Sequence, residues 1–318
     1  MIDYRDNTQN QLREIGISLF GECNNRCDFC FNKRHYNEQY VNDNVNNVLL
    51  NAIKAIDSIK DQTTHINFTL IGGELFQDKF DQLYYNQILT FVETIRKTCN
   101  NANVSCKIGI TTNCLFVNDD VINFLNKAKI DSLRCSFDFD GRFKSNKIVD
   151  VWFSNIDKLT KFNPIVELTT MKPNIIKVMN HDSIWQKLYS MFPVEFNNFE
   201  DVGIEKYRIN ETDLVEFYQF LIDNYSNVIN VLQLKQILSN TKTIRNCQHS
   251  IVITKDKIRF DCCNRLKSIN NFINNKQCFS CKYYDKCGLS CFREFQYNTE
   301  CYLKHSLNYY ESRIQTNR

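Results

Sequence analysis

Three thiols lie close together near the start of the chain, in Cys23-Asn-Asn-Arg-Cys27-Asp-Phe-Cys30. The spacing CxxxCxxC puts three thiolates on one tight loop. There they can hold three irons of a [4Fe–4S] cluster and leave the fourth iron without a protein ligand. An open iron is a place for a substrate or cofactor to bind. Phe29, just before the last cysteine, is positioned to shield such a cluster from water. A structural zinc site is the other reading; it needs a fourth ligand, and His35 is available.

A second set of cysteines lies near the end of the chain: Cys278-x2-Cys281-x5-Cys287-x3-Cys291, followed by Cys301 and preceded by Cys247 and the adjacent pair Cys262 and Cys263. Two close pairs of cysteines also suit tetrahedral zinc, so iron–sulfur and zinc both stand on spacing alone. The chain has 15 cysteines, and four lie outside both sets. Cys99, Cys106 and Cys135 read as small buried apolar residues. Cys114, at a strand end, is a candidate to face an active site.

Bulk properties narrow the setting. The chain has 318 residues, 43% hydrophobic and 24% charged, enough to bury a core in a large domain plus a smaller one. Its formal net charge is +3 with no dense Lys/Arg block, so nothing points to a nucleic-acid partner. The polar start lacks the pattern of a signal peptide, and no apolar run approaches the roughly 18 residues of a membrane span. The expectation is a cytoplasmic protein with no membrane partner, where clustered cysteines bind metal rather than form disulfides.

The elements that must position these residues alternate in type. Strands are expected at residues 15–20, 66–71, 106–112, 132–137 and 165–169, with helices at 45–60, 80–98, 119–128 and 149–159. In the first helix Val45, Val48, Leu49, Ile53, Ile56 and Ile59 recur at helical spacing. Repeated strand–helix units imply a parallel sheet with packed helices. A helix at 184–191 and a strand near 196–204 complete an α/β partial barrel of six units, shorter than an eight-unit barrel. Helices at 211–224 and 228–238 bridge to the tail. Residues 250–261 read as a β-hairpin turning at Lys255, Asp256 and Lys257, and the chain after Asn264 reads as polar and loop-rich. The expected division is a barrel at 1–205, a helical bridge at 206–246 and a cysteine-rich domain at 247–318. The three-cysteine loop then follows the first strand, on the face where α/β barrels place their active sites.

At this point the sequence resembles the radical S-adenosylmethionine superfamily, whose signature is CxxxCxΦC with an aromatic residue at Φ. The resemblance implies that Cys23, Cys27 and Cys30 hold a [4Fe–4S] cluster whose free iron chelates S-adenosylmethionine. Its reductive cleavage yields a 5′-deoxyadenosyl radical that abstracts hydrogen from substrate. Gly72, Gly73 and Glu74 after the second strand are similar to the family's GGE stretch, which contacts the cofactor's amino group. Thr112 and Asn113 are similar to its TNG stretch, with Cys114 in place of the glycine. Ser136 and Asp138 resemble the segment that touches the ribose; the SxDG pattern is shifted, since the glycine stands at Gly141 after Asp140.

The tail resembles the SPASM extension of the same superfamily. The C-x2-C-x5-C-x3-C core matches fully, while Lys257 stands where the pattern has a glycine four residues before Cys262. Carried over by position, one auxiliary [4Fe–4S] cluster uses Cys247, Cys262 and Cys291, with Cys263 or an open iron in the fourth place. The other uses Cys278, Cys281, Cys287 and Cys301. The resemblance implies an oxidoreductase that modifies a peptide or small protein, oxidising or cross-linking a side chain. An electron donor of flavodoxin or ferredoxin type serves it. Only 22 residues precede Cys23, which leaves no room for a leader-binding domain, so a peptide is expected to dock on the barrel, on the tail or through a separate leader-binding partner protein. Alternatives are dehydrogenation of a sugar or cyclitol, and a non-catalytic iron–sulfur or zinc scaffold. Asp138, Asp140, Asp261 and Cys114 are the candidate catalytic groups.

Overall fold

Strand residues of this chain alternate in burial, the period-2 pattern of a sheet with one face under helices. A computed structural model describes residues 12–30, 32–33, 36–198, 203–239, 250–259, 281–283 and 301–316. Ile15, Ile17, Ile66, Phe68, Leu70, Leu133, Cys135, Val166 and Leu168 point to the helix-covered face and belong to one large apolar core. Between them Glu14, Gly16, Ser18, Asn67, Thr69, Arg134, Ser136, Glu167 and Thr169 are only partly buried and form the opposite face.

Six strand–helix units run in order. β1 (Leu12–Ser18) leads to α1 (Asn42–Ile59), β2 (His65–Ile71) to α2 (Gln82–Asn101), β3 (Ser105–Thr112) to α3 (Asp119–Ala128) and β4 (Ser132–Ser136) to α4 (Asn146–Lys158). β5 (Ile165–Thr170) is followed by α5 (Lys172–Met179) and α6 (Ser183–Met191), and then by β6 (Val194–Asn198). α7 (Glu211–Asn224) and α8 (Ile229–Leu238) follow. Neighbouring strands from β1 to β6 pair in parallel. This is the expected α/β fold.

The helices form where capping and apolar spacing agree. α1 buries Val45, Val48, Ala52, Ala55, Ile56 and Ile59 along one stripe. Asn118 caps α3 by accepting from the nitrogen of Val121, and Asp119 and Asp120 in the first turn suit the positive helix end. α5 has no counterpart in the sequence reading. It is only two turns long, and Pro173 sits in its first turn, where proline starts a helix rather than breaking one. β6 starts two residues before its expected position and ends well before residue 204.

The hairpin of β7 (Ser250–Ile253) and β8 (Ile258–Arg259) is also present. It joins the barrel sheet: β7 lies parallel to β1, giving the strand order β6-β5-β4-β3-β2-β1-β7-β8. At the end of the chain α9 (Tyr302–Thr316) lies where the sequence read as loop. It packs on α7 and α8, and Arg313 and Tyr309 both bond Asp223 on α7. Among the described residues no helix is long and apolar enough to cross a membrane.

Candidate active site

The three-cysteine loop leaves the end of β1 and is stitched to the ends of β2, β3 and β4. Leu19 and Phe20 anchor its start in the core. The nitrogen of Gly73 donates to the Phe20 carbonyl at 2.8 Å, and the nitrogen of Glu74 donates to the Glu22 carbonyl at 2.8 Å. A Cβ on Gly73 would collide with that Glu22 carbonyl, and Gly72 holds φ +125°, a conformation that L side chains rarely adopt. The glycines are therefore required because two backbones run in contact.

Glu74 is 1% exposed, and both its oxygens are engaged. Oε1 accepts from the nitrogen of Phe76 at 2.9 Å and from Thr112 Oγ1 at 2.8 Å, and Oε2 accepts from the nitrogen of Asn113 at 2.6 Å. Burial pushes the carboxyl up to about 7, against the pull of these donors. The Glu74 carboxylate thus ties the end of β2 to the end of β3. Buried Asn113 extends the tie, donating to Asn24 Oδ1 at 2.7 Å and reaching Cys23 Sγ at 3.8 Å.

Asp138 follows β4 and is fully buried. Its Oδ1 accepts from the nitrogen of Thr169 at 2.9 Å and from Asn174 Nδ2 at 2.6 Å, while its Oδ2 lies 2.7 Å from both Nε and Nη2 of Arg142. Asn174, on α5, also donates to the Thr169 carbonyl and accepts from the nitrogen of Phe139. A carboxylate so engaged holds β4, β5 and α5 together. Asp140 is exposed and pairs with Lys206 at 3.3 Å. Ser136 ends β4 on the polar face, and its carbonyl accepts from Trp152 Nε1. Cys114 adopts φ +61° and is fully buried in the core beside Cys135, not at the barrel mouth. Cys99 is buried as expected, while Cys106 is partly exposed.

The cysteines themselves share one electrostatic neighbourhood. Burial, Glu74, Cys27 and Cys30 together push the Cys23 thiol up to about 12, while a bond from the nitrogen of Asn25 opposes them. Three thiolates in such a place need positive charge beside them, which the irons of a cluster would supply. Donors to the sulfurs are already in position: Asn25 Nδ2 reaches Cys27 Sγ at 3.5 Å, and Arg142 Nη1 reaches it at 3.7 Å. Phe29 packs with Cys27, Cys30, Met171, Ile204 and Tyr207, and meets the Tyr207 ring edge-on at 5.6 Å.

Asn25, Arg142 and Tyr207 escaped the sequence reading. Arg142 directly follows Asp140-Gly141, so the displaced glycine was its signal. Tyr207 carried no signal. It is fully buried, its hydroxyl lies 3.3 Å from Asp28 Oδ2, and any side chain at Gly141 would strike it.

On the polar face Arg134 bonds Glu167 at 2.9 Å and Glu195 at 3.2 Å, forming a belt across β4, β5 and β6. Asn67 donates to Glu14 at 2.8 Å on β2 and β1. Burial pushes the Glu14 and Glu167 carboxyls up, opposed at both by Arg134.

In the tail Cys281 and Cys301 are partly buried. Cys301 precedes α9, and Tyr283, two residues after Cys281, bonds Asn308 and Glu311 on that helix. Cys247, Cys262, Cys263, Cys278, Cys287, Cys291, Asp261 and His35 lie outside the described residues.

A family described as a 4Fe-4S single cluster domain matches residues 15–150, the segment that carries the three-cysteine loop and the strand ends around it. No curated protein matches the sequence. Among solved structures, anSMEcpe with bound AdoMet is similar with a TM-score of 0.61 at 16% identity, covering 96% of this chain and 98% of that one. The same protein with AdoMet and the Kp18Cys peptide gives a TM-score of 0.63 at 16% identity, covering 96% and 98%. With AdoMet and the Cp18Cys peptide the values are 0.61 and 17%, covering 96% and 97%. At that identity the likeness is one of fold, and it spans nearly the whole chain. The fold is the α/β partial barrel that the strand–helix alternation implied.

Proposed function

We propose that this chain is a radical S-adenosylmethionine enzyme that oxidises or cross-links a side chain of a peptide or small protein. The observation that carries the reading is the three-thiol loop locked to the ends of β2, β3 and β4 by Gly73, Glu74, Asn113 and Arg142. Such a lock, at the strand ends of the barrel, supports the reading of the three thiols as metal ligands.

Cys23, Cys27 and Cys30 would hold the cluster, with Asn25, Asn113 and Arg142 donating to its sulfurs. When bound, a cluster of this kind delivers an electron to S-adenosylmethionine and so opens hydrogen-abstraction chemistry. Phe29, Met171, Ile204 and Tyr207 exclude water from the loop's apolar side. The polar face that bears Ser136, Arg134, Glu167 and Glu195 receives the substrate and orients it. Support for a peptide is the near full-length likeness in fold to a protein solved with bound peptides. In the tail, Cys278, Cys281, Cys287 and Cys301 would hold one auxiliary cluster and Cys247, Cys262 and Cys291 another. The anchoring of Tyr283 on α9 is in keeping with Cys281 and Cys301 acting together.

Anaerobically reconstituted protein, reduced and given S-adenosylmethionine, should release 5′-deoxyadenosine, faster when the right peptide is present. No release from reduced, iron-loaded protein would overturn the reading.

A further inference from the structure

Arg142 is the one guanidinium in contact with a thiol of the loop among the described residues, and its position is fixed from behind. The edge formed by Nε and Nη2 faces Asp138 Oδ2 at 2.7 Å, which leaves Nη1 at the opposite corner, 3.7 Å from Cys27 Sγ. Asp138 is itself held by Thr169 and Asn174, so the guanidinium cannot swing without breaking a buried network. The Arg142 carbonyl accepts from Asn25 Nδ2 at 3.1 Å, and the guanidinium lies 5.4 Å over the Phe29 ring. The ion pair is largely buried, with side-chain exposures of 13% and 0%, so solvent screens it weakly.

We propose that Arg142, positioned by Asp138, tunes the reduction potential of the cluster held on Cys23, Cys27 and Cys30, raising it by donating to Cys27 Sγ. The inference rests on the cluster reading above. An added electron makes a cluster more negative, and a cation at a ligand sulfur stabilises that reduced form more than the oxidised one. Asp138 offsets the effect only in part, because it sits on the far side of the guanidinium and acts on Cys27 more weakly than Arg142 does. Lys206 is the contrasting cation: it lies 4.0 Å from Asp28 on the same loop but is half exposed, so solvent and salt screen it.

The test is a redox titration of reconstituted holoenzyme followed by electron paramagnetic resonance. The barrel cluster is identified as the signal that changes when S-adenosylmethionine is added. R142Q, and the paired D138N/R142Q variant that keeps a neutral hydrogen-bonded pair in the buried site, should be harder to reduce. At fixed potential the ratio of reduced to oxidised cluster should fall about tenfold, a shift of about 59 mV for a one-electron couple. R142K, which keeps the charge, should shift less, and K206Q should not shift. An unchanged potential in iron-loaded D138N/R142Q would overturn this inference and leave the cluster reading standing. A wild-type protein with no signal responsive to S-adenosylmethionine would overturn both.

Discussion

The Glu74 carboxylate accepts a 2.6 Å hydrogen bond from the main-chain nitrogen of Asn113, joining the strand end that follows β2 to the one that follows β3. Two more donors, Phe76 and Thr112, complete its shell. In E74A the two main-chain N–H groups and the Thr112 O–H would all be buried without this acceptor. At 1–3 kcal/mol for each unsatisfied group, the variant should lose roughly 3 kcal/mol or more in urea denaturation. E74Q keeps two acceptor positions and should lose less. Equal losses would show that the carboxylate is not the link.

The same group sets a pH dependence. Burial pushes Glu74 up to about 7 in the folded protein, whereas an unfolded chain has an ordinary carboxyl near 4.3. The folded state therefore binds more protons between these values. The stability from this group is complete below the unfolded value and is lost as pH rises through about 7. The melting temperature of the wild type should fall across that window relative to E74Q. A wild-type-to-E74Q difference that stays constant with pH would contradict the assignment.

Much of this was legible in the sequence, and the reasons differ by residue. Strand and helix positions followed from apolar periodicity, because the helix-covered face of the sheet and the core side of each helix repeat cleanly. The three-cysteine loop and Gly73 were legible because sequence-local spacing defines them. The structural ties made by Glu74 and Asp138 were not, since only the fold brings their oxygens to Asn113, Arg142 and Asn174. Cys114 read as a site residue because it ends a strand, but its positive φ turns the chain so that the thiol enters the core. α5 was missed because it is only eight residues long, too short for an apolar period to show. α9 was hidden by aromatic and polar residues on its buried side, such as Ser306 and Tyr310, that blur its period.

Gly73 tests the backbone contact between the two loops. A methyl group there must displace the Glu22 carbonyl and with it the start of the cysteine loop. G73A should keep its far-ultraviolet circular dichroism and lose most of its iron binding at the barrel site. Iron binding equal to the wild type would show that the loop tolerates the shift.

Tyr207 tests the apolar cover. Y207A removes the ring that meets Phe29 and opens a path for water to Cys27, so iron release to a chelator should speed up by about tenfold, the scale of a 1.4 kcal/mol change. Y207F keeps the ring and loses only the hydroxyl's contacts with Asp28 and Lys206, so release should stay within about twofold of the wild type. Matching rates for Y207A and the wild type would show that the cover lies elsewhere.

The most direct test of the central claim is an iron and acid-labile sulfide count on anaerobically reconstituted protein, set beside the variant with Cys23, Cys27 and Cys30 all changed to alanine. Three clusters predict about twelve of each in the wild type and about eight in the variant. Equal counts in the two proteins, or a wild type without iron, would contradict the account.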